Sequence, residues 1–225
     1  AFAPSERLWI GLAANIDWAS LAVDPFPAAS PDGMVYPGAT AADGAFGAGF
    51  QAGLIYKLTP AASLGLAYTS PQWFEEFSWN SMNGNPDDDT AFGTHRELTF
   101  QMNAPGIVAA GISYEVNPNL LVALDGKYIM YSSTEGFEKS GFGADGSVQG
   151  FGWDDIMVVA AGTQFQATEK LTLRAGYNYS DNPVPDENSF FNIAAPAIVQ
   201  HHVTAGVGFE LVEGLEISAA YYRAF

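Results

Sequence analysis

The segment FGAGFQAGLIYKLTPAASLGLAYTSPQ, Phe46 to Gln72, decides the fold. Its even positions Phe46, Ala48, Phe50, Ala52, Leu54, Tyr56 and Leu58 form a bulky apolar set, while Gly47, Gly49, Gln51, Gly53 and Lys57 lie between them. After Thr59-Pro60-Ala61-Ala62 the pattern resumes, with Leu64, Leu66 and Tyr68 opposed by Ser63, Gly65 and Thr69. A period of two predicts an extended strand with unlike faces. The first run is far longer than the roughly 5 to 6 residues usual in soluble strands and reaches the roughly 9 to 11 needed to cross a bilayer. The segment reads as two long amphipathic strands joined by a tight turn.

Outward from this pair, the same test finds seven further runs. Leu8, Ile10, Leu12, Ala14, Ile16 and Trp18 oppose Gly11, Ala13, Asn15 and Asp17. Leu120, Val122, Leu124, Tyr128 and Met130 oppose Asp125, Lys127 and Tyr131. Leu171 to Tyr179, His202 to Leu211 and Leu215 to Tyr222 behave alike, whereas Asp155 to Gln166 is apolar on both faces. Thr94 to Val116 is read as one long strand, because Leu98, Phe100, Met102, Val108, Ala110, Ile112 and Tyr114 keep one parity across Pro105. Long and short connections alternate: long at 24–45, 80–93, 134–152 and 181–199, short at 59–62, 117–119, 167–169 and 212–214. Trp18, Tyr56, Trp73, Trp79, Tyr177, Tyr179, Tyr221 and Tyr222 gather near run ends. Long alternating strands, aromatic girdles and strictly alternating loop lengths predict an all-β, antiparallel transmembrane β-barrel of the bacterial outer membrane.

Composition agrees. Only 15% of residues are charged, against 48% apolar and 14% aromatic, where a soluble domain carries about a quarter charged residues. The 25 acidic and 8 basic residues give a net charge of −17, which excludes a nucleic-acid partner, since that needs a positive footprint. The acids crowd into loops, as in Asp87-Asp88-Asp89 and Asp181 to Glu187. A solvated, self-repelling loop surface is the simpler reading; divalent cations bridging the loops to lipopolysaccharide and other outer-membrane lipids is the sharper one. The absence of cysteine is compatible with export.

No enzymatic motif is present. His201 and His202 point to opposite faces of a strand and cannot share a metal ion from one side. His202, Glu210 or Asp125, and Ser218 share the inner parity, yet no nucleophile motif joins them. The inward glycines Gly47, Gly49, Gly53, Gly176, Gly206 and Gly208 lack the strand-loop-helix setting of a phosphate site and suit a closely packed, bent wall. No cofactor is expected. Asp125, Lys127 and Arg174 are charges on the inner face; pairing among themselves is one role, and a ligand carboxylate at Lys127 and Arg174 is the other.

Several stretches together resemble the long-chain fatty-acid transporter and aromatic-hydrocarbon uptake family of outer-membrane proteins (FadL/TodX-like). They are Gly49 to Lys57 with its Thr-Pro turn, LGLAYTSPQ at Leu64, APGIVAAGISYEVNPNLLVALDGKYIMYS at Ala104, LTLRAGYNYSDNPVP at Leu171 and APAIVQHHVTAGVGFEL at Ala195. The resemblance implies a monomeric barrel of about fourteen strands with an N-terminal hatch in its lumen. On that pattern residues 1–225 form a single partial domain of nine strands, without the hatch, the early strands and the final strand. It implies passive transport of hydrophobic small molecules, fatty acids ahead of aromatic hydrocarbons; Trp73, Phe74, Phe77, Trp79, Trp153, Phe190 and Phe191 are the candidate loop residues to meet the solute, an interfacial anchor or loop-packing role being the alternative for each. A general porin and a structural or adhesive barrel are the alternatives.

Overall fold

The alternating runs become a continuous wall. The computed structural model describes residues 2–193 and 195–225. Its strands are β1 (Phe2–Ser5), β2 (Leu8–Leu21), β3 (Asp43–Lys57), β4 (Ala62–Thr69), β5 (Trp73–Phe74), β6 (Phe77–Met82) and β7 (His95–Phe100). They continue as β8 (Gly106–Asn117), β9 (Leu120–Met130), β10 (Ile156–Gln166), β11 (Leu171–Ser180), β12 (His201–Val212) and β13 (Leu215–Ala224). The wall runs β1-β2-β3-β4-β8-β9-β10-β11-β12-β13, each strand antiparallel to its neighbours. The nine expected wall strands are β2, β3, β4 and β8 to β13. The sheet is open, with β1 and β13 at its two ends, so the chain forms part of a barrel.

The register carries the two parities across the whole wall. Leu12, Ala52, Tyr68, Val108 and Tyr128 form one continuous row, and Gly11, Gly53, Ala67, Ala109 and Lys127 another. The first parity is bulky and lies open: Leu12 is 79% exposed and Ile16 86%. Rows of exposed Leu, Ile, Val and Phe are unfavourable in water and are the required surface in lipid. Within β10 the parity that faced both ways in sequence resolves, since Ala160, Gly162 and Gln164 take the inner side opposite Asp125, Ala123 and Leu121.

Two features depart from expectation. Thr94 to Val116 is not one strand. Only β8 joins the wall, pairing with β4, while β7 forms a separate hairpin with β6. The reason lies at residues 101–105. Pro105 has no amide hydrogen to continue a ladder, and Asn103, 6% exposed, spends its side chain on other partners. Its Oδ1 accepts from Phe74 N at 2.8 Å and its Nδ2 donates to Glu135 Oε2 at 2.8 Å. The parity that crosses Pro105 is a coincidence of two amphipathic strands, one packed under a loop and one facing lipid. Trp79 therefore leaves the interfacial girdle for a buried place in the hairpin.

The second departure is a bulge between β4 and β5. Thr69 pairs with Gln51 and Trp73 with Ala48, so Ser70, Pro71 and Gln72 face only Gly49 and Phe50. Pro71 offers no donor, and Ser70 repairs the ladder. Its amide donates to Phe50 O, its Oγ accepts from Phe50 N, and the hydroxyl donates to Pro71 O, all at 2.9 Å. One inserted residue bends a strand and switches its parity. Gln72 and Phe74 thereby turn inward and Trp73 outward.

The four long connections close over one end of the wall as a single cap. Phe26 from the first loop packs with Phe77, Trp79 and Leu98 of the hairpin and Ala45 at the start of β3. Trp79 Nε1 donates to Leu21 O at 3.0 Å, and Arg96 donates to Ser30. The third loop bonds to the first through Val148 N and Pro27 O at 2.8 Å and through Tyr36 Oη and Gly146 O at 2.9 Å. The fourth joins the third where Trp153 Nε1 donates to Asn192 Oδ1 at 2.5 Å. Asn192 ends a 3-10 helix, Asp186–Asn192.

Candidate functional site

Small side chains on the inner face leave room. Where β2, β3, β4, β8 and β9 run side by side, Gly11, Gly53, Ala67, Ala109, Gly65 and Gly111 open a hollow of about 560 Å³. Trp9 and Ile55 wall one side, Ser63, Ser113 and Ala123 another, and Asp125 and Lys127 supply the only charges. Asp125 lies flat across the wall onto β8, and a methyl group at Gly111 would overlap its carboxylate. Gly111 is thus required for the Asp125 position rather than for a turn. Among the described residues, Lys127 makes no ion pair. A hollow of this size, mostly apolar with two charged groups at one edge, has the dimensions and chemistry of a small-molecule site.

Above the hollow the bulge builds a shelf. Gln72 lies over Gly49 and Phe74 over Gly47, so closely that a methyl group at either glycine would strike the overlying side chain. Gln72 Nε2 donates to Ser70 O at 2.7 Å, and its Oε1 accepts from Asn15 Nδ2 at 3.2 Å. Gln101 Nε2 donates to Phe74 O at 2.7 Å. Sequence reading singled out Phe74 but missed Gln72, Asp125's seat on Gly111, Trp9 and Ile55. The inward glycines were the available signal, because each marks a neighbour lying against bare backbone.

The remaining expected residues fall into distinct places. Phe77 and Trp79 are buried in the cap, with rings stacked at 5.8 Å and Phe26 4.9 Å from Trp79. Trp153 belongs to a second cluster with Tyr131, Phe137 and Phe151, its ring 4.9 Å from Phe137. Burial pushes the Tyr131 phenol up. Phe190 and Phe191 meet Phe142 in a third cluster that is open to solvent, with Phe190 66% exposed. Trp73 is 51% exposed on the outer side.

Lys127 and Arg174 are not brought together. Arg174 lines a second inner hollow, of about 390 Å³, with Gln164, Gly176, Thr204 and Gly206. There its Nε donates to Gln164 Oε1 at 2.9 Å, and its Nη1 stands 3.7 Å from Glu216 Oε1. This half-exposed pair is loose, so Arg174 is held by a neutral amide and a distant carboxylate. His202 faces the inner side beside Asn178, and His201 faces the outer side with Tyr177 and Tyr179.

No curated protein sequence matches this chain. Among solved structures it resembles the Ralstonia pickettii toluene transporter TbuX, with a TM-score of 0.68 and 20% identity over 99% of this chain and 59% of that one. The Pseudomonas putida toluene transporter TodX gives 0.64 and 21% over 97% and 59%. A Pseudomonas aeruginosa FadL homologue gives 0.63 and 17% over 100% and 57%. The chain therefore spans a little under three fifths of the length of these structures. The family model described as outer membrane protein transport protein (OMPP1/FadL/TodX) matches residues 39–225. An outer-membrane wall of lipid-facing strands, a small-lined inner face and that match together make this chain a member of the OMPP1/FadL/TodX family of outer-membrane proteins.

Proposed function

We propose that this chain forms part of a channel through which hydrophobic small molecules pass passively across the outer membrane, with neutral aromatic hydrocarbons ahead of fatty acids. The observation that carries the reading is the inner hollow of about 560 Å³, apolar over most of its lining and bounded by glycine and alanine. It can hold a ring-sized solute, and nothing in it requires catalysis or energy coupling. The membership of the family and the toluene transporters among the similar structures support the same reading.

Charge favours the neutral solute class, the reverse of the order expected from sequence. The inner parity of the described wall carries Asp17, Asp43, Glu115, Asp125, Glu210 and Glu216 against Lys57, Lys127 and Arg174. Glu216 stands beside Arg174, and Asp125 is two residues from Lys127. A carboxylate entering this field meets net repulsion, and a neutral ring does not. Phe190 and Phe191 in the cap and Phe74 on the shelf are the aromatic residues from which a solute would be handed inward; Phe77, Trp79 and Trp153 hold the loops together, and Trp73, on the outer side, takes no part.

The test is uptake of labelled toluene and of labelled oleate by cells expressing the full-length protein, wild type or K127M. The expected result is protein-dependent toluene uptake unchanged by K127M, with oleate uptake lower throughout. Equal uptake of both solutes with and without the protein sinks the transport reading. Oleate uptake that exceeds toluene uptake and collapses in K127M restores the fatty-acid order.

A further inference from the structure

The outer face of the wall carries a single basic side chain among apolar ones. Of the 8 Lys and Arg residues, Arg7 and Lys170 lie at turns, and Arg96 and Lys139 lie in the cap. Lys57, Lys127 and Arg174 take the inner parity. Arg223 alone projects from a strand toward lipid: it pairs with Val203, which pairs with the outward Tyr177. A basic side chain on that face costs about 2–4 kcal/mol at the bilayer midplane and about 0–1 kcal/mol near an interface. At about 3.3 Å per residue, Arg223 stands roughly 20 Å along β13 from Ile217 at the turn end. It therefore sits at the cap end, where the outer leaflet meets water.

His201 and Tyr177 share its face at that end of the wall. His201, level with Tyr179 in the ladder, is stacked on Phe225 with ring centroids 5.3 Å apart at 23°. Tyr177 Oη lies 2.7 Å from His201 Nδ1. When the phenol donates to Nδ1, the imidazole keeps its Nε2–H as a donor. Below Arg223 the same parity turns apolar through Tyr221, Ala219 and Ile217. A cation and a ring N–H above a largely apolar strip match an amphiphile with an anionic head and hydrocarbon tails.

We propose that Arg223 and His201 form a docking site for a phosphate of the outer-leaflet glycolipid, the phosphorylated lipopolysaccharide headgroup. Charge complementarity selects this occupant. The chain carries 25 acidic residues, many in the cap loops directly above, so an anionic headgroup is repelled at the rim except beside an outward cation. Arginine also recognises phosphate through paired, charge-assisted hydrogen bonds, which a neutral headgroup cannot accept as strongly. The acyl chains lie along β12 and β13, over that strip.

The experiment uses the folded full-length protein in neutral detergent, with bisphosphorylated lipid A as the probe and native mass spectrometry as the readout. Wild-type protein is expected to retain bisphosphorylated lipid A about fivefold more than fully dephosphorylated lipid A, the scale of one basic residue at an anionic surface. R223Q is expected to lose that preference, R223K to keep it, and the cap variant K139Q to behave as wild type. Equal retention of the two lipids by the wild type overturns the proposal, and that comparison stands whether or not R223Q folds. A full preference surviving in R223Q overturns it too, as does complete displacement of lipid A by excess inorganic phosphate, which would mark an ion site.

Discussion

Replacing Trp79 by alanine separates the cap from the wall. The indole is 2% exposed, stacked on Phe77, in contact with Phe26, and donates its Nε1–H to Leu21 O at 3.0 Å. Truncating a buried tryptophan costs about 3–5 kcal/mol. The wall ladders pass below this cluster and lose no backbone bond. The expected cost therefore falls on the cap, raising its open population by about 10² to 4 × 10³-fold at one decade per 1.4 kcal/mol. Limited proteolysis of the folded protein in detergent reads this directly when reclosing outpaces cleavage. W79A should be cut within residues 75–103 about 10² to 4 × 10³ times faster than wild type, while its unheated electrophoretic mobility stays that of a folded barrel. W79F keeps a ring and loses the N–H donor, so it should accelerate cleavage only about tenfold. Cleavage of W79A at the wild-type rate would refute the reasoning, as would W79F matching W79A, which would make the hydrogen bond rather than packing the source of cap stability.

Three further predictions concern other elements. S70A should lower stability by about 1–3 kcal/mol in urea unfolding from lipid vesicles, because it leaves the Phe50 amide without the Ser70 Oγ acceptor; an unchanged midpoint refutes the account of the bulge. G111L should fold, because Asp125 can swing away, yet cut toluene uptake severely by filling the inner hollow; wild-type uptake by a folded G111L removes the hollow from the path. Asp155 ties the third loop to β9, accepting from Tyr128 Oη at 2.6 Å and Ser132 N at 2.8 Å. Burial alone pushes its carboxyl up, and these bonds outweigh burial and hold it below its ordinary value. A lowered folded value stabilises above the unfolded pKa, near 4, and the contribution fades as pH falls through the folded one. Protease protection of the third loop should thus weaken below about pH 4 in the wild type, and D155N should remove that step.

The wall was legible because it obeys one rule, a period of two sustained by a surface that faces lipid on one side. Phe46 to Leu58 and Leu171 to Tyr179 show it without interruption, and the structure places both in register with their neighbours. Reading failed where another environment produces the same period. Leu98, Phe100 and Met102 alternate because their hairpin packs on Phe26 and Ala45, and their parity joined that of Val108 by chance. The Ser70-Pro71-Gln72 bulge was hidden because a side chain, Ser70 Oγ, replaces a backbone acceptor there. The inner hollow was partly visible through its glycines. Which neighbour lies over each of them is set by pairing between strands distant in sequence, as with Asp125 on Gly111 and Gln72 on Gly49.

The way the loops are tied together also bears on how this protein is seen from outside the cell. Residues from four separate stretches, among them Tyr36, Arg96, Gly146 and Asn192, are bonded across loops. The surface that an antibody or a phage tail fibre meets is accordingly a discontinuous epitope. A synthetic peptide copying any one loop lacks the partners that fix its shape, so sera raised against it should react with denatured protein and poorly with living cells.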